Sequence, residues 1–111
     1  MKWTTENISA VLSPQSNAVV VCNGIAVDRI SETSIRIIFD YSSYSVYTNE
    51  LELLAEEIKN SSNGSVFVIV DSGSLERGII NLEYNPIKKP EFRALGGAIT
   101  DVCNFIEMRY I

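Results

Sequence analysis

The residues that could do chemistry in this chain are carboxylates and serines, because the sequence contains no histidine. Without histidine there is no Ser-His-Asp or Cys-His arrangement and no imidazole ligand for zinc. Asp71 follows an apolar run and precedes Ser72-Gly73-Ser74, and strand ends of this kind host catalytic acids and phosphate sites. The spacing matches neither a P-loop nor a Gly-x-Ser-x-Gly nucleophile elbow. We therefore interpret the segment as an Asp-Ser-Gly turn.

A metal site would have to be built from carboxylates alone, which favour magnesium, calcium or manganese. Asp28, Asp40 and Asp71 could converge on such an ion, although their spacing matches no ligand motif. Lys88-Lys89 is too short a basic run to form a nucleic-acid patch. The sequence therefore predicts no metal, no cofactor and no enzymatic activity.

The residues that favour binding lie between positions 41 and 57. Residues 41–47 interleave tyrosine with serine, a composition found on adaptable protein-binding surfaces. Residues 49–60 have the spacing of a helix whose exposed side is rich in glutamate. A tyrosine-rich edge strand and a solvated acidic face are the ordinary alternatives. We predict a single partner-binding surface made of Tyr44, Tyr47, Glu50, Glu52, Glu56 and Glu57.

The strands that would support this surface are organised around residues 66–70, Val-Phe-Val-Ile-Val. An unbroken apolar run of this length is typical of a strand covered on both faces, so we expect it in the middle of a sheet. Asn23-Gly24 separates two apolar runs and predicts an antiparallel hairpin of residues 18–22 and 25–30.

Further strands are predicted where apolar and polar side chains alternate. Residues 35–40 and 78–84 show this alternation, which is typical of strands with one face toward water. Residues 44–47 could add a short strand that pairs back on residues 35–40.

Three segments have helical patterns. A first helix, capped by Thr4 or Thr5, is predicted to end at about Leu12, with Trp3 anchoring it to the domain. A second covers residues 49–60, and a third begins at Pro90 and reaches at least Glu107. Gly96-Gly97 weakens the third helix, and close packing of that helix on the sheet would account for the two glycines.

These elements predict an α+β fold. We expect a mixed or antiparallel sheet of about five to six strands, packed by two long helices and one short N-terminal helix. The long helices would cover both faces of the sheet. The length of 111 residues fits one domain that spans residues 1–111.

Composition limits the kind of partner and compartment. Fourteen acidic and nine basic residues give a formal charge of −5, which disfavours direct binding to nucleic acid or to anionic membranes. The N-terminus lacks the apolar core of a secretion signal, and no stretch approaches ~18 apolar residues. We therefore expect a soluble, cytoplasmic protein. Cys22 and Cys103 lie in apolar segments without Cys-x-x-Cys spacing, which predicts buried free thiols rather than a disulfide.

In size, acidity, absence of catalytic groups and α+β layout, the chain resembles the immunity proteins that neutralise polymorphic bacterial toxins, including those of contact-dependent growth inhibition systems. The resemblance is one of type over the whole chain, and it assigns no residue a role. It implies a cytoplasmic inhibitor of one toxin domain, and we separately expect the chain to be a monomer when free rather than an oligomer. The partner would be a toxin domain with a basic surface, often a nuclease, whose active site or an adjacent surface is blocked.

Two alternatives belong to other functional classes. The chain could be a self-assembling scaffold or oligomer subunit, in which residues 78–84 or the end at Ile111 pair with a second copy. It could also be an enzyme or ligand-binding domain that uses Asp71 and other carboxylates with a divalent metal.

Overall fold

The computed structural model describes residues 3–13, 19–22, 24–40, 48–71 and 76–109, which form an α+β fold. The described helices are α1 (Thr5–Leu12), α2 (Thr48–Ser61) and α3 (Phe92–Arg109). The described strands are β1 (Val19–Cys22), β2 (Ile25–Arg29), β3 (Ser34–Asp40), β4 (Val66–Asp71) and β5 (Arg77–Tyr84). These five strands form one antiparallel sheet in the order β1-β2-β3-β5-β4.

The predicted α+β class and the predicted hairpin are confirmed. Val19 lies opposite Asp28 and Cys22 lies opposite Ile25 in an antiparallel pair. Gly24 has a φ of 82°, a conformation that a side chain disfavours and that this tight turn requires. The possible strand at residues 44–47 lies outside the described residues.

The prediction that residues 66–70 form the middle of the sheet is wrong. β4 lies at one end of the strand order and pairs with β5 alone among the described strands, whereas β3 is central, between β2 and β5. Phe67 and Ile69 point away from the core and are 55% and 65% exposed. Only the alternate residues of this apolar run, Val66, Val68 and Val70, pack toward the core.

The expectation that helices cover both faces of the sheet is also wrong. α1 contacts β1 and β2, α2 contacts β4 and β5, and α3 lies against both helices. Strand side chains are therefore buried on one face only, and those on the opposite face are half-buried or exposed. The buried strand residues share that one face through the pairing register: Val20, Ile25, Val27, Ile35, Ile37, Phe39, Val66, Ile80, Leu82 and Tyr84.

The C-terminal end of α1 is held by a cation from the sheet. The Arg29 guanidinium donates hydrogen bonds to the carbonyl oxygens of Val11, at 2.9 Å, and Leu12. The Tyr84 hydroxyl donates to the same Leu12 oxygen at 2.6 Å, and Arg29 lies 5.8 Å from the centre of the Tyr84 ring. A positive charge at a helix C-terminus and over an aromatic ring is favourable in both positions.

The N-terminal end of α1 is held by α3. Trp3 is 3% exposed, which confirms the predicted anchor, and its indole N–H donates to Glu107 Oε1 at 2.8 Å. A Cβ added to Gly96 would lie 2.5 Å from Ser9 Oγ and 3.3 Å from the Ser9 backbone nitrogen. Gly96 therefore permits close approach of α1, and the expectation that this glycine serves packing on the sheet is corrected.

Cys103 behaves as an apolar core residue. It is a free thiol with no exposed surface, as the sequence predicted, whereas the side chain of Cys22 lies outside the described residues. Burial, with a smaller contribution from the charge of Glu107, raises the pKa of the Cys103 thiol far above its ordinary value. Because the thiolate is the reactive form, both the burial and the raised pKa disfavour nucleophilic chemistry at Cys103.

The two neighbouring glycines of α3 should respond in opposite ways to alanine. Gly97→Ala meets only Thr5 Oγ1, at 4.0 Å, so it should stabilise the fold by up to about 1 kcal/mol through helix propensity. Gly96→Ala should destabilise it, because the new methyl displaces Ser9, whose hydroxyl donates to the Phe92 carbonyl. Urea denaturation gives the free energy of unfolding of both variants. Equal stabilisation by the two substitutions would contradict the close α1–α3 contact at Gly96.

Tyr84→Phe should lower the free energy of unfolding at neutral pH by roughly 0.5–1.5 kcal/mol, because the bond to the Leu12 carbonyl is lost. Burial raises the pKa of Tyr84 above its ordinary 10.0, against an opposing hydrogen bond from Arg29. Protonated Tyr84 thus stabilises the fold fully below about pH 10, and this contribution is lost as the pH rises through the folded-state pKa. Denaturation at about pH 7 and about pH 11 should show that the difference in free energy of unfolding between wild type and variant is smaller at the higher pH. A gap independent of pH would contradict the burial of this hydroxyl.

Candidate protein-binding surface

Two of the predicted binding residues lie beside the edge of the sheet. Glu52 and Glu56 are exposed and one turn apart on α2, and both face β4 across an open groove with a volume of about 390 Å³. We call this the edge groove. It is lined by Glu52, Ala55, Glu56 and Lys59 of α2 and by Val68, Ile69 and Val70 of β4.

The remaining predicted residues do not join this groove within the described part of the chain. Glu57 is exposed but lies roughly 100° around the helix from Glu56. Glu50 is half-buried and is also turned away from Glu52, by roughly 160°. Tyr44 and Tyr47 lie outside the described residues. The structure therefore brings Glu52 and Glu56 together and places Glu50 and Glu57 on the other side of α2.

Which residues of β4 bond to β5 is decided by the opposed pair just before the strand, Ser65 and Asn85. The Asn85 N–H donates to the Ser65 carbonyl at 2.8 Å, so this opposed pair is a hydrogen-bonded one. Opposed residues in an antiparallel ladder alternate between bonded and non-bonded pairs, and Phe67 and Ile69 therefore bond to β5. The backbone N–H and C=O groups of the alternate residues point away from β5, toward the outer edge: Val66, Val68 and Val70.

The same alternation on β5 supports this assignment. The Tyr84 N–H donates to the Thr33 carbonyl at 2.8 Å, which directs Tyr84 and every second residue before it toward β3. The intervening residues, Glu83 and Asn81, are thus left to bond β4, where they lie opposite Phe67 and Ile69. Both ladders therefore give β4 the same outward-facing residues.

Among the described residues, the outer edge of β4 carries none of the usual protections against strand pairing. Natural sheet edges are commonly blunted by lysine, proline, a bulge or a covering element. The register of β4 on β5 runs without interruption from Val66 to Asp71, and the five residues before Asp71 are all apolar. No described strand or helix pairs with this edge. An unprotected apolar edge of this length is a template for another strand.

The sheet face opposite the helices continues from this edge. Phe67 and Ile69 are its exposed apolar residues on β4. Its middle is polar, since Arg36 donates to Asp28 through Nη2 at 2.8 Å and through Nε at 3.2 Å. This bond, together with the charge of Asp28, raises the pKa of Arg36 against the opposing effect of burial. The apolar contact area on this face is therefore greatest next to the edge groove and, on the far strand, at Val19 and Val21.

A second cavity, with a volume of about 530 Å³, lies between α1 and the start of α3. Two of its polar side chains, Glu91 and Ser9, are already used within the fold. Glu91 accepts hydrogen bonds from the N–H groups of Arg93 and Ala94 and so caps α3, while Ser9 donates to Phe92. Glu91 and Ser9 therefore serve to join α1 to the start of α3 and to cap α3.

The three aspartates considered for a metal do not form a site among the described residues. There, no group of three or more His, Cys, Asp or Glu side chains is placed to hold a metal ion. Asp28 is instead engaged by Arg36. The described residues also contain no helix with the length and apolar character needed to cross a bilayer.

Sequence reasoning missed Phe67, Ile69 and the free edge of β4. The missing signal lay in the neighbouring strand, where Asn81 and Glu83 alternate with buried residues. Residues that lie side by side on adjacent strands share a face of the sheet. A solvent-exposed face on β5 therefore implies that the same face of β4 is also solvent-exposed. The apolar run alone does not contain this information.

Comparisons of the chain with protein-family models, with curated proteins and with solved structures found no match. A function must therefore be argued from the surface itself.

Amide hydrogen exchange should alternate along β4 in the free protein. The Phe67 and Ile69 amides bond to β5 and should exchange slowly, whereas those of Val66, Val68 and Val70 point outward and should exchange quickly. Two-dimensional NMR after transfer to deuterium oxide resolves the individual amides. Uniformly slow exchange would show that the outer edge is covered.

Proposed function

We propose that this chain is a small acidic binding protein that acts in the cytoplasm. It neutralises a toxin domain, most simply a nuclease, by stoichiometric protein–protein binding. The observation that supports this most directly is the edge groove, in which Glu52 and Glu56 lie beside an apolar strand edge that no described strand occupies. Such a surface combines charge for partner selection with apolar and backbone groups for affinity.

The charge of the chain favours a basic partner. A formal charge of −5 attracts a positive surface over roughly a Debye length, about 8 Å at physiological salt, and speeds association. Nucleases have positive clefts because they must hold phosphates. The same charge opposes direct contact of this chain with nucleic acid or with an anionic membrane, so the proposed role is that of an inhibitor of a nucleic-acid enzyme.

Self-assembly is a second candidate function, and the apolar edge of β4 is the observation that favours it. Two routes were considered from the sequence. Pairing through residues 78–84 is not available because β5 is paired on both sides, by β3 and β4, and the end at Ile111 lies outside the described residues. The proposed free protein is a monomer, because pairing β4 with its own copy would bring Glu52 and Glu56 of both copies to the same side of the joined sheet. Light scattering over a range of concentrations distinguishes a monomeric inhibitor from a self-assembling protein. A monomeric mass at every concentration would contradict self-assembly.

Recovery of the partner is the first test of the proposed function. The tagged chain is co-expressed with each neighbouring reading frame, because the resemblance to immunity proteins implies that a toxin is encoded nearby. We expect one basic protein to copurify at one-to-one stoichiometry, to dissociate as salt is raised, and to arrest growth when it is expressed alone. If no neighbouring product binds, or if the bound product is harmless, the inhibitor role is wrong.

Charge reversal in the edge groove should then weaken the complex. Glu52→Lys/Glu56→Lys should raise the Kd for the recovered partner by at least about tenfold at low salt, and by less at high salt. Asp101→Lys/Glu32→Lys changes the net charge equally at exposed positions outside the groove and is the matched control. If the two double variants weaken binding equally, only net charge matters and the groove is not the docking surface.

A further inference from the structure

We propose that the edge groove receives an extended segment of a protein partner, which adds a strand to the outer edge of β4. The segment carries basic side chains at alternate positions. This inference rests on the proposed binding function and specifies its mode. It follows from the phase of the β4 hydrogen bonds, the charges on α2 and the composition of β4.

The backbone of β4 provides the pairing groups. Val66, Val68 and Val70 direct their N–H and C=O groups outward, two residues apart, which is the repeat that an added strand requires. Strand addition to a free edge derives its affinity from these main-chain bonds and its specificity from pockets for alternate side chains. β4 presents the main-chain groups for such bonds along its whole length.

The two sides of an added strand would meet different surroundings. On the side of α2, its side chains enter the edge groove between β4 and the stripe that contains Glu52 and Glu56. On the opposite side, its alternate side chains lie next to Phe67 and Ile69, which are 55% and 65% exposed. The segment that fits is therefore basic on one side and apolar on the other.

The position of the charges along the groove predicts where the basic side chains of the segment lie along β4. α2 and β4 are joined by the short turn at residues 62–65 and pack against each other, so they run in opposite directions. Lys59, near the end of α2, therefore lies toward the Val66 end of the groove, and Glu52 lies toward the Asp71 end. The basic side chains of the partner should accordingly lie nearest to Val68 and Val70.

A second copy of this chain fits the groove poorly. The β4 sequence Val-Phe-Val-Ile-Val-Asp contains no basic residue, so a copy of β4 could not neutralise Glu52 or Glu56. It would instead add a second aspartate and a second α2, so that the joined groove would hold four glutamates against the two Lys59 side chains. The charges thus select a different, basic chain as the occupant.

A synthetic strand tests this mode without knowledge of the natural partner. The probe is the blocked peptide Lys-Val-Lys-Thr-Lys-Val-Lys, and its control replaces every lysine with glutamate. We expect saturable binding of the lysine peptide to the ¹⁵N-labelled full chain, with slowed exchange at the Val66, Val68 and Val70 amides and little change at Phe67 and Ile69. Binding without slowed exchange at these three amides would overturn strand addition, as would equal binding of the glutamate peptide.

Proline at an outward position tests the backbone directly. Val68→Pro removes an N–H that does not bond to β5, so edge pairing is blocked while the β4–β5 ladder is kept. It should weaken the lysine peptide at least about tenfold relative to Val68→Ala, which loses similar side-chain volume but keeps the N–H. Val70→Pro with Val70→Ala repeats the test if Val68→Pro fails to fold. Equal binding by a folded proline variant and its alanine control would contradict the mode.

The same variants test strand addition to β4 separately from the proposed role as a toxin inhibitor. If the recovered toxin binds Val68→Pro and Val68→Ala equally, strand addition is wrong and the inhibitor role stands. If the lysine peptide adds to β4 but no neighbouring product is a toxin, the mode stands and the inhibitor role is wrong. Slow exchange of the three outward amides in the free chain, together with a dimeric mass, would assign the edge to a second copy and overturn the inference.

Discussion

All three described helices pack on one face of the sheet, and the rest of the structure depends on this constraint. It requires every strand to bury alternate side chains only, even β4, whose residues before Asp71 are all apolar. It also requires α1 to be fixed tightly, because a short helix buries little area by itself. Arg29 and Tyr84 bind its last carbonyls, while Trp3, just before the N-cap residue Thr4, donates to Glu107 of α3.

The one-sided arrangement determines where a partner can bind. The outer strands of the described sheet are β1 and β4. β4 lies beside the acidic side chains of Glu52 and Glu56, whereas the aspartate opposite Val19 of β1, Asp28, is paired with Arg36. β4 is held on its inner side by the ladder to β5 and on its core face by α2. This edge is therefore held in an extended conformation before a partner binds, an arrangement that reduces the entropic cost of association.

Much of the fold was predictable from local patterns, because turns and helix stripes leave strong local signals. The Asn23-Gly24 hairpin, the alternation on β5 and the apolar stripe of α2 each depend on residues close in sequence. The position of β4 was not predictable in this way. An apolar run is compatible with a central strand or with an edge, and only the pairing of Asn81 with Ile69 decides between them. For the same reason only one side of the edge groove was predicted from the sequence. Glu52 and Glu56 were predicted to bind a partner, but β4 was not predicted to be the edge strand that they face.

Zero-length carbodiimide cross-linking of the complex with its recovered partner, followed by mass spectrometry, tests the central claim most directly. The reagent joins a carboxylate to a lysine amine only when the two are in contact. The account predicts that Glu52 and Glu56 form the dominant cross-links to the partner. Cross-links confined to acidic residues on other surfaces, such as Glu6, Asp101 or Glu32, with none at the edge groove, would contradict it.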